Sequence, residues 1–252
     1  MDFTEKIILI TGAARGIGRA TAETFAQLGG TLAMHYHTSR TQAEQLVESL
    51  PGKNHHVFVA DLTDPSACET LIHEVVRQYG RLDVLVNNAG IYEVKPLKDL
   101  NYADWQQTWK NTLDTNLVAP ANLCFLVAKI MMKQGGGKII NISSRGAFRG
   151  EPDAPAYGAA KAGLNQLSQS MAQALAPYNI FVGVVAPGFV HTDMAAPLLD
   201  GPQGEAIRKQ SPLQRAATPQ EIAEAVVRLA ADGMMYATGC ILDVNGASYL
   251  RS

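Results

Sequence analysis

Seven short apolar runs, spread along the whole chain, constrain most strongly how this sequence can fold. They lie at residues 6–11 (KIILIT), 31–36, 56–60, 83–87, 138–143, 180–186 and 240–244. Continuous apolar character, without strict alternation of polar residues, is typical of strands buried on both faces of a parallel sheet. We therefore expect these runs to form a parallel sheet.

Segments with helical periodicity separate the runs. Ile17, Ala20, Thr24 and Leu28 share one face of a helix, and similar faces lie at 46–50, 72–79 and 222–229. A longer helix is predicted over about 103–133, ended by GGGK. Alternating strands and helices predict an α/β fold with a Rossmann-type, doubly wound parallel sheet and right-handed crossovers.

No linker or repeat divides the chain, so residues 1–252 are expected to form a single dinucleotide-binding catalytic domain. The stretch at about 188–217 lacks clear periodicity and follows a strand, which predicts a lid or substrate loop; a plain connector is the alternative.

The composition excludes several classes of function. A formal net charge of -2 leaves no basic excess for binding nucleic acid. We find no secretory signal and no run of about 20 apolar residues that predicts a membrane span. The three widely spaced cysteines predict a reduced, cytoplasmic protein, and the spacing of histidines and cysteines predicts no metal site.

The motif TGAARGIG at 11–18 lies between the first strand and the first helix. Gly12, Gly16 and Gly18 allow a tight turn and a close approach of the backbone to a pyrophosphate. From Ile17 onward the helix contributes free N–H groups and a partial positive charge at its amino end. The motif predicts a dinucleotide site.

The end of the second strand, MHYHTSR at 34–40, indicates which dinucleotide is bound. A cofactor with free ribose hydroxyls usually meets an acidic residue there, and none is present. Arginine side chains suit a 2′-phosphate, so NADP(H) is favoured, with NAD(H) as the alternative. The groups available are Arg15, Tyr36, His37, Thr38, Ser39 and Arg40. In the competing interpretation the two arginines are only solvated surface charges.

The stretch SSRGAFRGEPDAPAYGAAK at 143–161 predicts a proton-transfer site. Tyr157 and Lys161 lie one helical turn apart. A positive charge about 5 Å from the phenol stabilises phenolate by roughly 3 kcal/mol, or about two pK units. Ser144, at the end of a strand, can donate a hydrogen bond to the same carbonyl oxygen. We therefore expect Lys161 to lower the pKa of Tyr157.

Five motifs then occur in order: TGAARGIG, NNAG at 87–90, Asn116 in DTNL, the set Ser144, Tyr157 and Lys161, and PGFVHT at 187–192. With them the chain, from residue 6 to about 246, resembles the short-chain dehydrogenase/reductase family in its compact single-domain branch. The resemblance implies a seven-stranded parallel sheet, a nicotinamide cofactor and a homotetramer, or else a homodimer.

The resemblance also implies roles for individual residues. Tyr157 is the general acid/base, Lys161 also bonds the nicotinamide ribose, and Asn116 anchors a water that relays protons to Lys161. Further cofactor-binding positions carried over are Asp61 and Leu62 beside the adenine, Asn87, Asn88, Ala89 and Gly90 beneath the adenosine ribose, and Pro187, Gly188, Val190 and Thr192 at the nicotinamide carboxamide.

The substrate is less constrained. The layout is similar to that of 3-oxoacyl-[acyl-carrier-protein] reductases, which implies reduction of a ketone to a secondary alcohol. Lys133 and Lys138 retain part of the basic surface expected for an acidic carrier protein, but Tyr178 occupies its second region. Arg145 and Arg149 either face an anionic group of the substrate or are exposed loop charges.

Two other classes of function remain. One is an NAD-dependent dehydrogenase of a sugar, a steroid or a small alcohol. The other is a regulatory protein that binds a nicotinamide cofactor without catalysis, which the presence of both Tyr157 and Lys161 disfavours. A longer-branch sugar-nucleotide epimerase is disfavoured by the glycine spacing and by the missing carboxyl-terminal substrate domain.

Overall fold

The computed structural model describes residues 1–251, and its centre is a sheet of seven parallel strands in the order β3-β2-β1-β4-β5-β6-β7. The strands are β1 Ile7–Ile10, β2 Thr31–Tyr36, β3 His56–Val59, β4 Val84–Asn87, β5 Gly137–Ile142, β6 Ile180–Pro187 and β7 Ile241–Val244. Each apolar run of the sequence forms one strand, with bounds that agree to within one residue. The predicted doubly wound parallel sheet is confirmed.

Helices connect the strands and cover both faces of the sheet. They are α1 Gly16–Gln27, α2 Arg40–Ser49, α3 Pro65–Tyr79, α4 Tyr102–Leu113, α5 Ala119–Gln134, α6 Pro155–Leu175, α7 Ala196–Leu199, α8 Gly204–Arg208 and α9 Pro219–Ala230. The predicted apolar faces at 17–28, 46–50, 72–79 and 222–229 lie on α1, α2, α3 and α9, which confirms these helices.

The pleat of the strands divides the core into two layers. On β1, Ile8 and Ile10 face a layer that contains α1, α2 and α9, whereas Ile7 and Leu9 face one that contains α3 and α5. Successive side chains of a strand point to opposite faces, so an uninterrupted apolar run supplies both layers.

The predicted helix over 103–133 is interrupted. A π-helical turn, Asp114–Val118, joins α4 to α5 and carries Asn116. Tyr102–Gln134 as a whole is long and apolar enough to cross a membrane by length and composition alone. In the structure its inner face is a core face, with Leu123, Val127 and Met131 fully buried against the sheet.

The segment 188–217 is more ordered than its sequence predicts. It contains α7 and α8, and Leu199, Ile207 and Ala216 form a small apolar cluster of their own. A parallel bridge from Val190 to Ala217 closes its base. The rest of the segment is irregular, and its two helices, of four and five residues, are too short to produce a periodic pattern in the sequence.

Candidate active site

A cleft of about 370 Å³ opens at the carboxyl ends of the strands. It lies where the strand order reverses between β1 and β4, the place at which open α/β sheets bind ligands. The glycine loop, the end of β2, the end of β4, the serine loop after β5 and the segment after β6 all line it.

The glycine loop is shaped for a phosphate group. Gly12 and Gly16 adopt φ values of +63° and +54°, which other residues rarely adopt. A methyl group at Gly18 would overlap the carbonyl oxygen of Gly12, so this glycine packs the loop and does not line the cleft. No side chain caps α1 and no acidic residue lies in its first turn, so the N–H groups there remain free for a pyrophosphate.

His35, which the sequence analysis did not single out, holds this loop in place. Its Nδ1 accepts the N–H of Gly12 at 3.2 Å, and its Nε2 bonds the carbonyl oxygen of Ala60 at 3.0 Å. Accepting at Nδ1 requires the tautomer with the proton on Nε2. Burial lowers the pKa of His35 to about 4. In the sequence, a histidine within an otherwise apolar strand could have identified this residue.

The adenosine end of the cleft is lined by most of the residues expected there, namely Arg15, Tyr36, His37, Thr38 and Ser39. The carboxylates that line the cleft, Glu151 and Asp193, belong to the serine loop and to the segment after β6, not to this end. No carboxylate therefore lines this end of the cleft, although the Asp61 carboxylate lies 4.0 Å from His37.

Three residues expected at this end do not line the cleft. The guanidinium of Arg40 points along α2 and pairs with Glu44 at 2.8 Å. Asp61 accepts hydrogen bonds from the backbone N–H and the hydroxyl of Thr63, and its nearest approach to this end is 4.0 Å from His37. Leu62 is buried in the core. For Arg40 the interpretation as a surface charge therefore fits better, because Glu44 one turn away satisfies it.

The residues predicted for proton transfer do meet in the cleft. Ser144 lies two residues after β5, at the start of the loop, and Tyr157 and Lys161 lie in the first two turns of α6; all three line the cleft. The Lys161 ammonium is 5.8 Å from the centre of the Tyr157 ring and donates to the carbonyl oxygen of Ile142 at 2.8 Å. The Ser144 hydroxyl accepts the N–H of Gly146 at 3.0 Å, which fixes its position.

The expected lowering of the pKa of Tyr157 is not found. Burial raises the pKa of this phenol to about 12, and a hydrogen bond with Ser144 opposes only part of that effect. Burial also lowers the pKa of Lys161 to about 8. The expectation fails because it counted only the attraction between the two groups, whereas desolvation of each group is the larger effect here. Tyr157 is therefore a protonated donor at neutral pH.

Asn116 is fully buried beside the same site. Its side-chain amide bonds both the N–H and the carbonyl oxygen of Ile91, at 2.9 and 2.8 Å. A methyl group at Gly90 would lie 3.0 Å from the Asn116 Oδ1 and 3.7 Å from the Lys161 Nζ. Asn116 and Lys161 therefore both lie beside Gly90, and Asn116 fixes the backbone of Ile91, although its side chain does not line the cleft.

The remaining expected cofactor positions are distributed along the cleft wall. Asn88, Ala89, Gly90, Ile17, Pro187, Gly188, Val190 and Thr192 line it. Thr192 lies close to Gly16, so the segment after β6 approaches the glycine loop across the cleft. Asn87, by contrast, is buried behind the wall and donates to Asn141 at 2.8 Å.

The two arginines of the serine loop have different surroundings. Arg145 is only 4% exposed and lines the cleft, so it is not an exposed loop charge. Arg149 does not line the cleft, and its Nε lies 4.0 Å from a carboxylate oxygen of Glu151.

Two aromatic residues that the sequence analysis did not single out also line the cleft. The ring of Tyr92 packs edge-on against Tyr157 with 4.8 Å between ring centres. The ring of Phe189 lies beside the guanidinium of Arg145. Tyr92 lies two residues after the NNAG motif, and Phe189 lies within PGFVHT. Their positions at these two motifs could have identified them from the sequence.

These groups can protonate an oxygen atom that lies between Ser144 and Tyr157 while a dinucleotide occupies the glycine-loop end. Within residues 1–251, no group of three histidine, cysteine or carboxylate side chains lies close enough to hold a metal ion. The site as built supports acid–base chemistry next to a bound dinucleotide.

Comparison with known proteins agrees with this geometry. Residues 12–247 match the family model described as enoyl-(acyl carrier protein) reductase. The chain is 40% identical over 250 residues to the 3-oxoacyl-[acyl-carrier-protein] reductase of Escherichia coli K12, covering 99% of this chain and 100% of that protein. The enzyme of the same name from Thermotoga maritima is 38% identical over 249 residues, covering 98% of each chain.

A solved structure, of a provisionally named gluconate dehydrogenase from Agrobacterium tumefaciens, superposes with a TM-score of 0.91 at 32% identity. The match covers 98% of this chain and 97% of that one. Fold, cleft and sequence thus agree along the whole chain, and the protein belongs to the short-chain dehydrogenase/reductase family of oxidoreductases.

Proposed function

We propose that this protein is an NADP(H)-dependent oxidoreductase that interconverts a ketone and a secondary alcohol. The observation that carries the proposal is that a partly buried, protonated Tyr157 and Ser144 line the same cleft as the uncapped amino end of α1. The balanced reaction is ketone plus NADPH plus H⁺ giving secondary alcohol plus NADP⁺.

The protein supplies the proton and the orientation. When bound, the cofactor supplies a hydride to the carbonyl carbon. Tyr157 donates its phenolic proton to the carbonyl oxygen, and Ser144 donates a hydrogen bond to the same oxygen as negative charge develops there. The ammonium of Lys161 stabilises the phenolate that results, and solvent returns the proton. Asn116 positions this end of the cleft by bonding the backbone of Ile91.

The test is the conservative variant Tyr157→Phe. It removes the hydroxyl and keeps the ring that packs on Tyr92. We expect kcat to fall by at least 10²-fold, the usual size of a general-acid contribution, while NADPH binding measured by fluorescence is unchanged. Tyr79→Phe, which changes a tyrosine outside the cleft, is the matched control. Retained turnover in the Tyr157 variant would refute the assignment of the acid.

The preference for NADP(H) rests on Arg15 and on the absence of an acid where the cleft meets the end of β2. We expect kcat/KM with NADPH to exceed that with NADH. Arg15→Ala should reduce the ratio about tenfold, the usual effect of losing one charge-assisted hydrogen bond, and Arg40→Ala should leave it unchanged. A preference of the unmodified enzyme for NADH would contradict this part of the proposal.

The substrate class that the relatives favour is a 3-oxoacyl thioester, because the E. coli and T. maritima enzymes are named for that substrate. The surface gives weaker support for a carrier-protein partner. Lys133 is exposed, but the Lys138 ammonium lies over the ring of Phe181, and Tyr178 presents an exposed ring. An NADPH-oxidation assay with acetoacetyl thioesters, with and without acyl carrier protein, tests both points.

A dehydrogenase of sugar acids or small alcohols is the second candidate, which the similarity to the Agrobacterium structure favours. The same assay run over keto sugars, quinones and steroid ketones separates it from the first.

We also propose that residues 1–252 are one catalytic domain and that 188–217 is its substrate loop, because Phe189, Met194 and Leu198 of this segment line the cleft.

We further propose a cytoplasmic homo-oligomer, a tetramer or else a dimer. Large apolar side chains are exposed along the helical stretch 102–134, at Tyr102, Val118 and Phe125, and near the carboxyl end, at Leu242 and Leu250. Exposed apolar patches of this kind mark association surfaces. The three cysteines are free thiols, which suits a reducing compartment. Sedimentation at several concentrations tests the assembly.

A further inference from the structure

Arg145 follows the proposed hydrogen-bond donor Ser144 directly and is a buried cation on the wall of the cleft. Its guanidinium donates to the Oε1 of Gln210 and lies 4.9 Å from the centre of the Phe189 ring. Both contacts are to uncharged groups. Among residues 1–251, no carboxylate lies within 4.0 Å of it, whereas the neighbouring Arg149 is paired with Glu151.

A buried charge without an opposite charge is unusual, since burial penalises the charged form and arginine does not give up its proton. Burial and the nearby Arg149 both lower the pKa of Arg145, and the more distant Glu151 and Tyr92 oppose only part of that effect, so the fold places no carboxylate in contact with this charge. The uncompensated positive charge is therefore available to a ligand in the cleft. Phe189 and Gln210 hold the planar guanidinium in a fixed orientation.

The charge balance around Arg145 indicates what kind of anion fits. Glu151 also lines the cleft, and Arg149 is its nearest cation, so these two charges largely cancel. One net positive charge remains at Arg145. A carboxylate carries one negative charge and matches the guanidinium fork with two hydrogen bonds, whereas a phosphate dianion would leave a second charge unpaired.

We propose that Arg145 is a specificity-determining residue that binds a carboxylate on the substrate, so that the preferred substrates are ketones bearing a carboxylate apart from the reacting carbonyl. The inference rests on the proposed ketone reduction. It adds a substrate class, keto acids or ω-carboxylated 3-oxoacyl thioesters, to that function. Arg145 and Ser144 line the same cleft, so a substrate can present its carbonyl to Ser144 and its carboxylate to Arg145.

Two pairs of substrates isolate the carboxylate, because the members of each pair differ only in a terminal methyl or carboxylate group. The first pair is the N-acetylcysteamine thioesters of 3-oxohexanoate and 3-oxoadipate. The second is 2-pentanone and 4-oxopentanoate, which contain no thioester. We expect kcat/KM to favour the carboxylated member by about 10- to 100-fold, as for a charge-assisted hydrogen bond, and mainly through KM.

Variants of Arg145 then test the residue. Arg145→Gln should bring the ratio of kcat/KM within each pair close to one, mainly by raising KM for the carboxylated member. Arg145→Lys should retain part of the preference. Arg77→Gln, which changes an exposed arginine on α3 outside the cleft, is the control and should leave the ratio unchanged. Melting temperatures and NADPH binding establish that each variant is folded.

Two outcomes overturn the proposal. One is a ratio near one in the unmodified protein. The other is an equal loss on both members of a pair in Arg145→Gln, which is the result expected if Arg145 only fastens Phe189 and Gln210. Reduction of 4-oxopentanoate but of neither thioester refutes only the thioester assignment. If no ketone is reduced, binding of 4-oxopentanoate to the NADP⁺-loaded protein is measured by calorimetry. Binding that Arg145→Gln abolishes supports the carboxylate site, and absence of binding overturns the proposal.

Discussion

Protonation of His35 should destabilise the protein and loosen the glycine loop. In the folded chain this imidazole is buried and neutral, because its Nδ1 accepts from Gly12 and its Nε2 donates to Ala60. A proton on Nδ1 would remove the first bond. Burial is the main cause that lowers its pKa from 6.5 to about 4. Between these pH values the unfolded chain binds more protons than the folded one, so stability falls as the pH falls.

The size of the effect follows from the two pKa values of 6.5 and about 4. The difference corresponds to roughly 3 kcal/mol in total at pH values below both, and to about 2 kcal/mol between pH 7.5 and pH 5. We expect this loss in the free energy of unfolding measured with urea, beyond the contribution of the other titrating groups.

His35→Asn supplies the comparison, since the asparagine Oδ1 can accept the Gly12 N–H and does not titrate. The variant loses the bond to Ala60, which lowers its free energy of unfolding by about 1–3 kcal/mol at every pH. The unmodified protein alone loses stability through His35 as the pH falls, so the difference between the two free energies of unfolding should shrink by about 2 kcal/mol from pH 7.5 to pH 5. His73→Asn, on the exposed face of α3, is the control.

A constant difference over that pH range would refute the reasoning. If the asparagine variant does not fold, an NMR titration of the His35 ring in the unmodified protein measures the same quantity. A pKa near 6.5 would then contradict the burial argument. NADPH affinity should fall only as the pH approaches 4, where the folded His35 takes up a proton and the loop loses its bond from Gly12.

Two further substitutions test the glycine loop and the helix that supports it. Gly18→Ala should reduce NADPH affinity at least tenfold, because its methyl group would overlap the Gly12 carbonyl oxygen, whereas Gly150→Ala, where nothing lies within 4 Å, should bind normally. Thr218→Ala removes the capping box of α9, which packs against α1, and should lower the free energy of unfolding by about 1 kcal/mol. Thr70→Ala, an exposed helical threonine, should change it less; equal losses would contradict the capping argument.

The sequence by itself determined the sheet, because burial on both faces demands continuous apolar runs and each run became one strand. It also determined which residues meet at the proton-transfer site. Tyr157 and Lys161 are one turn apart on one helix, and Ser144 follows the end of β5 by two residues, so local geometry brings them near the carboxyl edge of the sheet. The glycine loop is likewise a local feature, since its spacing sets the turn.

Only the tertiary structure decided the electrostatics of these groups. The sequence indicated that Lys161 is close to Tyr157 but not that both are desolvated, and desolvation outweighs their attraction. It showed Arg145 only as a cation in a predicted loop. Folding buried this residue, without a carboxylate in contact, on the wall of the cleft. Burial depends on contacts between distant segments, which spacing along the chain does not encode, whereas the pair of Arg40 with Glu44 lies within one turn of α2.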